Sequence, residues 1–127
     1  MLGFAMMVAA TATSLADQPP GGAPEPSPAF IQAAQEFGQC LQRGAAKLAA
    51  TVTPEAGATQ VVAGCTQQRT DLSTHFEAWV SSSGFPEAGR PIAREEFQAE
   101  LNRVETHVAA GIRRARAAPA PTKQPSN

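Results

Sequence analysis

Along the middle of this chain, apolar residues return every third or fourth position, and the gaps between them are filled by Gln, Glu, Arg and Thr. The first such run places Phe30, Ala34, Phe37, Leu41, Leu48 and Val52 on one face of a 3.6-residue period. Gln32, Gln35, Glu36, Gln39, Gln42 and Arg43 fall on the other. The pattern predicts a helix over residues 28–52, begun by Ser27 as N-cap with Pro28 at the first helical position, where the missing N–H costs no hydrogen bond.

Thr53-Pro54-Glu55 repeats that start signal, with an acid added at the positive end of the helix dipole. The stripe that follows is Ala58, Val61, Val62, Cys65, Leu72, Phe76, Trp79 and Val80. It predicts a second helix over 54–82, closed by Ser81-Ser82-Ser83-Gly84 with Gly84 in the left-handed conformation. Arg69 interrupts the stripe at its edge. Its aliphatic stem is expected to lie on the core while the guanidinium reaches out toward Glu36 or Asp71.

A turn-rich connection, Gly84 to Pro91, leads to a third stripe of Phe97, Leu101, Val104, Val108, Ile112 and Ala115, predicting a helix over 92–116. No segment alternates with period two. Three amphipathic helices joined by short connections define an all-α protein, most simply a small up-down-up three-helix bundle over residues 28–116.

The two cysteines add a covalent constraint to this pattern. Cys40 and Cys65 lie almost equally far on either side of the turn at Val52-Thr53, and such residues face each other in an antiparallel hairpin. Gly44, Ala45, Ala49, Gly57, Ala58 and Gly64 concentrate near that turn, which lets the helix backbones approach. The expectation is a Cys40–Cys65 disulfide. Two cysteines this far apart lack the C-x-x-C spacing of a redox pair and the second pair of a structural zinc site.

The flanks read differently. Residues 2–10 are almost continuously apolar and lead to Ser14-Leu15-Ala16, a small-x-small cleavage pattern, so 1–16 is expected to be a signal peptide removed near Ala16. No Lys or Arg precedes the apolar run, which is unusual for such a signal. The run is too short for a bilayer core of roughly 30 Å, which calls for about 20 apolar residues. An uncleaved membrane tether, the one membrane contact considered, and an N-terminal helix of a cytosolic protein are the alternatives. Residues 17–27 form a Pro/Gly-rich linker and 117–127 a Pro-rich tail, both expected to be disordered. A periplasmic or secreted location follows from this reading, as does an oxidising environment for the disulfide.

Hydrophobic residues make up 43% of the chain, yet Tyr is absent and Trp occurs once, so few large side chains are available to build the core. A formal net charge of -1 supplies no concentrated positive field, and a nucleic-acid partner is disfavoured.

Candidate chemistry is sparse. His75, Phe76, Trp79 and Phe85 gather near one end of the bundle and are the candidate ligand-facing residues for a small-ligand or metal carrier. Arg113, Arg114 and Arg116 form the one basic cluster and the candidate anion site, at a helix C-terminus where cations also oppose the dipole. His107 and the neighbouring acids are the candidates for an enzyme, but no nucleophile elbow, phosphate loop, metal-ligand spacing or calcium loop is present. No catalytic residue, metal ligand or cofactor is assigned. The leading expectation is a non-enzymatic binding module of the cell envelope, with another envelope protein or macromolecule as partner and its oligomeric state open.

Overall fold

The computed structural model describes residues 24–118. The expected signal peptide, most of the linker and most of the C-terminal tail lie outside the described residues. Within them the chain is helical: α1 (Pro28–Ala46), α2 (Pro54–Gly64), α3 (Thr66–Val80), a 3-10 turn (Glu87–Gly89) and α4 (Arg90–Ala117). No strand occurs among the described residues, and no described helix is long and apolar enough to cross a membrane.

Both Pro-marked starts form as local chemistry dictates. Ser27 is extended, with φ -62° and ψ 149°, and its hydroxyl accepts from the Phe30 amide at 3.2 Å. Thr53 takes nearly the same conformation and accepts from the Ala56 amide, also at 3.2 Å. Each hydroxyl satisfies one of the amides that a helix start leaves without an intrahelical partner.

Two boundaries differ from the sequence pattern. Helix α1 ends at Ala46 rather than at 52, and short backbone bonds from Lys47 to Gly44, Leu48 to Ala45 and Val52 to Ala49 tighten the chain into turns. The β-branched run Thr51-Val52-Thr53, followed by a proline that forces extended backbone before it, disfavours further helix. Leu48 and Val52 therefore fold over α2 instead of extending the stripe of α1. A Cβ placed on Gly57 would lie 2.8 Å from Leu48 Cδ1 and 3.6 Å from Val52 Cγ1, so the missing side chain makes room for this cover.

The second difference is a break at Cys65, with φ -113° and ψ 26°, that divides the expected 54–82 helix into α2 and α3. Gly64 is a weak helix former, and the Thr66 hydroxyl donates to the Ala63 carbonyl at 2.8 Å. The break gives the two pieces different neighbours, since α2 packs mainly on α4 and α3 mainly on α1. Even so, the residues of the predicted stripe are buried, Trp79 alone being half-buried.

The Cys40–Cys65 disulfide is present at this break, with its Cα atoms 5.9 Å apart. Close approach comes from Gly44, where an added Cβ would meet Val61 Cγ1 at 3.0 Å, but not from Gly64, whose Cβ would point into open space. One core cluster, including Phe37, Leu41, Val61, Val62, Leu72, Leu101 and Val104, surrounds the disulfide. A second cluster, built on Phe76, Val80 and Phe85, occupies the far end, and Phe30 and Phe97 pack against both.

Helix α3 ends without the expected left-handed glycine, since Gly84 has no positive φ. Arg90 replaces that cap, its guanidinium donating to the carbonyls of Val80 at 2.9 Å and Ser82 at 3.3 Å. At its other end α4 sends the Arg116 guanidinium to the carbonyls of Val52 and Ala49. A 28-residue helix is about 42 Å long, so α4 ties the α3–α4 connection to the α1–α2 turn along the length of the domain.

Candidate functional site

The aromatic end of the domain is assembled from α1, α3, the α3–α4 connection and α4. Phe76 and Phe97 stack at 3.9 Å between centroids with planes 6° apart, and Phe30 meets both edge-on, at 5.5 and 6.1 Å. Trp79 stacks on Phe30 at 5.4 Å and receives the edge of Phe85 at 5.0 Å. Offset stacks and edge contacts of this kind are the favourable ring geometries.

Phe76 and Phe85 are 5% and 4% exposed, so these two candidate ligand-facing rings are core residues, Phe76 packed on Phe97 and Phe30 and Phe85 on Trp79. Trp79 is half-buried, and its indole Nε1 donates to the Glu25 carbonyl at 3.1 Å. His75 is half-buried on α3, outside this ring cluster. His107 is exposed on α4, and no group of three or more His, Cys, Asp or Glu gathers among the described residues.

The Glu25 contact shows that the last residues of the expected linker are held. Residues 25–27 lead into α1 outside any helix and line an open groove of about 720 Å³ together with the Gln32, Gln35 and Gln39 face of α1. A second open depression, about 660 Å³, runs along α3 between Thr66, Arg69, Thr70, Ser73, Thr74 and Ser81. The first carries amides together with Glu25 and Glu36, and the second hydroxyls together with Arg69 and Glu77. A smaller groove of about 310 Å³ lies over the disulfide, between Arg43, Lys47 and Gln60.

The basic cluster on α4 is largely engaged. Arg113 pairs with Glu55 at the start of α2, and Arg116 holds the turn carbonyls, while Arg114 is exposed on the same helix. Two of the three candidate anion-binding cations thus already hold oxygen atoms of the chain itself. Elsewhere, Glu77 and Arg94 form an ion pair at 2.6 Å between α3 and α4. The Arg94 hydrogen bond holds the Glu77 carboxyl below the usual carboxylate range and raises the Arg94 guanidinium in turn. Glu36 and Asp71 accept from Gln32 and Gln67 on their own helices, at 3.2 and 3.1 Å, rather than from Arg69.

Sequence reasoning missed Phe30 and Phe97 as members of the aromatic end, and missed Glu25 as the partner of Trp79. Phe30 and Phe97 were visible as stripe residues, but only the docking of three helices brings them together. For Glu25 there was no signal, because a backbone carbonyl is common to every residue.

No family profile matches this chain, and no curated protein or solved structure is detectably similar to it.

Proposed function

We propose that this protein is an exported, disulfide-clamped helical module that acts in the cell envelope by presenting a helical surface to another macromolecule, without turning over a substrate. The observation that carries this reading is the Cys40–Cys65 disulfide, because such bonds persist in oxidising compartments. The apolar segment 2–10 and the Ser14-Leu15-Ala16 pattern support export with cleavage near Ala16, to the periplasm or the outside. We read the architecture as an up-down-up three-helix bundle whose middle helix is bent at Cys65.

The amides of the α1 face and the hydroxyls of the α3 face favour a macromolecular partner recognised largely through hydrogen bonds. A small-ligand carrier is less well supported, since Phe76 and Phe85, which it would need, are buried against neighbouring rings.

Expression of the full chain in a host with an export route tests the compartment. The expected product begins at Asp17 and shows no free thiol before reduction. An intact N-terminus retained in the cytosol with two alkylatable thiols overturns it. Photo-crosslinking groups at Gln35 and Thr70, both exposed, test the surface. A discrete adduct with one envelope macromolecule is expected, and recovery of the uncrosslinked monomer from both positions refutes the binding role.

A further inference from the structure

We propose that the Trp79 end of the domain is a receptor for an extended proline-rich peptide segment, and that in this chain its occupant is the chain's own Pro24-Glu25-Pro26-Ser27-Pro28. An extended proline-rich backbone has few N–H groups, so a receptor must offer donors to its carbonyls. Trp79 supplies such a donor. Its indole N–H donates to the Glu25 carbonyl, which lies between two prolines, at 3.1 Å. Its ring stacks on Phe30 and lies perpendicular to Phe85, so packing within the domain positions the donor.

Ser27, where the segment joins α1, has φ -62° and ψ 149°, the extended conformation of an N-cap that precedes a proline. Pro24, Pro26 and Ser27 are half-buried although none belongs to a helix. With no spacer between the segment and α1, its effective concentration at Trp79 falls in the millimolar range or above. A proline-rich segment from another molecule therefore gains the site when this strap is undone, and the strap acts as its internal competitor.

Because Trp79 is the single tryptophan, the indole N–H gives one resonance in a proton–nitrogen correlation spectrum of the full-length protein. Replacing Pro24, Glu25 and Pro26 together by Gly is expected to move that resonance toward the free-indole position. Titration with a peptide of residues 23–28 is then expected to restore it saturably, while the same peptide with each Pro replaced by Gly leaves it unmoved. An indole resonance unchanged by the strap substitution, or equal response to both peptides, overturns the proposal. Trp79→Phe keeps a ring and removes the donor, and it is expected to raise the undocked strap population on the order of fivefold, the effect of one hydrogen bond. That change is read as a fall in the heteronuclear NOE of the Glu25 and Ser27 amides. Unchanged values in a variant that retains its helical circular dichroism count against the proposal equally.

Discussion

Reduction of the Cys40–Cys65 bond is the perturbation whose size follows most directly from the fold. The bond closes a loop of 25 residues. In the chain-entropy relation for cross-links that loop removes about 12 cal/mol/K from the unfolded ensemble, or about 3.5 kcal/mol at 25 °C. Domains of 60–100 residues lose about 4–8 °C in Tm per kcal/mol, so reduction is expected to lower Tm by about 14–28 °C. The reduced protein is nevertheless expected to fold, because the same hairpin is held independently by the Arg116 bonds to Val52 and Ala49 and by Leu48 and Val52 over Gly57. Urea unfolding of the oxidised protein, and of the same protein kept reduced, gives the two free energies without changing a side chain. The denaturant slope is expected to rise on reduction, since the uncrosslinked unfolded chain exposes more surface. A loss under 1 kcal/mol, or an unchanged slope, would refute the view that the clamp acts by restricting the unfolded chain.

Three further outcomes test the packing. Phe76→Ala is expected to cost about 3–5 kcal/mol, the range for a buried aromatic ring, while His75→Ala stays within about 0.5 kcal/mol; thermal unfolding of the pair separates a core from a ligand site at the aromatic end. Glu77 is held below the usual carboxylate range by Arg94, so the stabilisation it gives is present above the pKa of an unfolded glutamate and lost as pH falls through the lowered value. The urea midpoints of wild type and Glu77→Gln should therefore differ slightly near neutral pH and converge in acid, and a gap that widens as pH falls would contradict the assignment. Arg116→Ala is expected to lower unfolding free energy by about 1 kcal/mol, and Arg116→Lys to recover only part of it, because a single ammonium does not reproduce the guanidinium fork that reaches two carbonyls.

What the sequence made legible was local, or tied to the helical period. Ser27 and Thr53 cap their helices because the cap chemistry lies within three residues of each start, and the stripe from Ala58 to Val80 is buried because spacing alone sets the face. The disulfide was readable because the turn lies midway between its cysteines. The break at Cys65 was not, since Gly64 and Thr66 are individually tolerated in helices and only the different neighbours of α2 and α3 make the bend favourable. The same holds for α1, where Leu48 and Val52 keep the correct period but are drawn off to cover Gly57. Arg116 and the Glu25 carbonyl act across separations of 64 and 54 residues, and nothing in their immediate surroundings announces it. At the candidate site, composition identified the rings near Trp79 but not their orientation, and orientation decides between core and pocket.

These differences share a cause in how unevenly the chain distributes its side-chain volume. Five aromatic rings, from Phe30, Phe76, Trp79, Phe85 and Phe97, occupy one end of the domain, where they bury large areas and fix the helices by their own packing. The other end is built around Gly44, Ala45, Gly57 and Ala58, whose small side chains allow close approach but remove little apolar surface from water. Contacts of a different kind concentrate at that poorer end: the Arg116 fork and the Arg113–Glu55 pair, with the disulfide between it and the aromatic rings in the main core cluster. The disulfide adds a restriction on the unfolded chain that depends on its loop length and not on the burial around it. The basic cluster on α4 acquires its place at the poorer end, since its guanidiniums supply directed bonds to a turn that has too few large residues to hold itself.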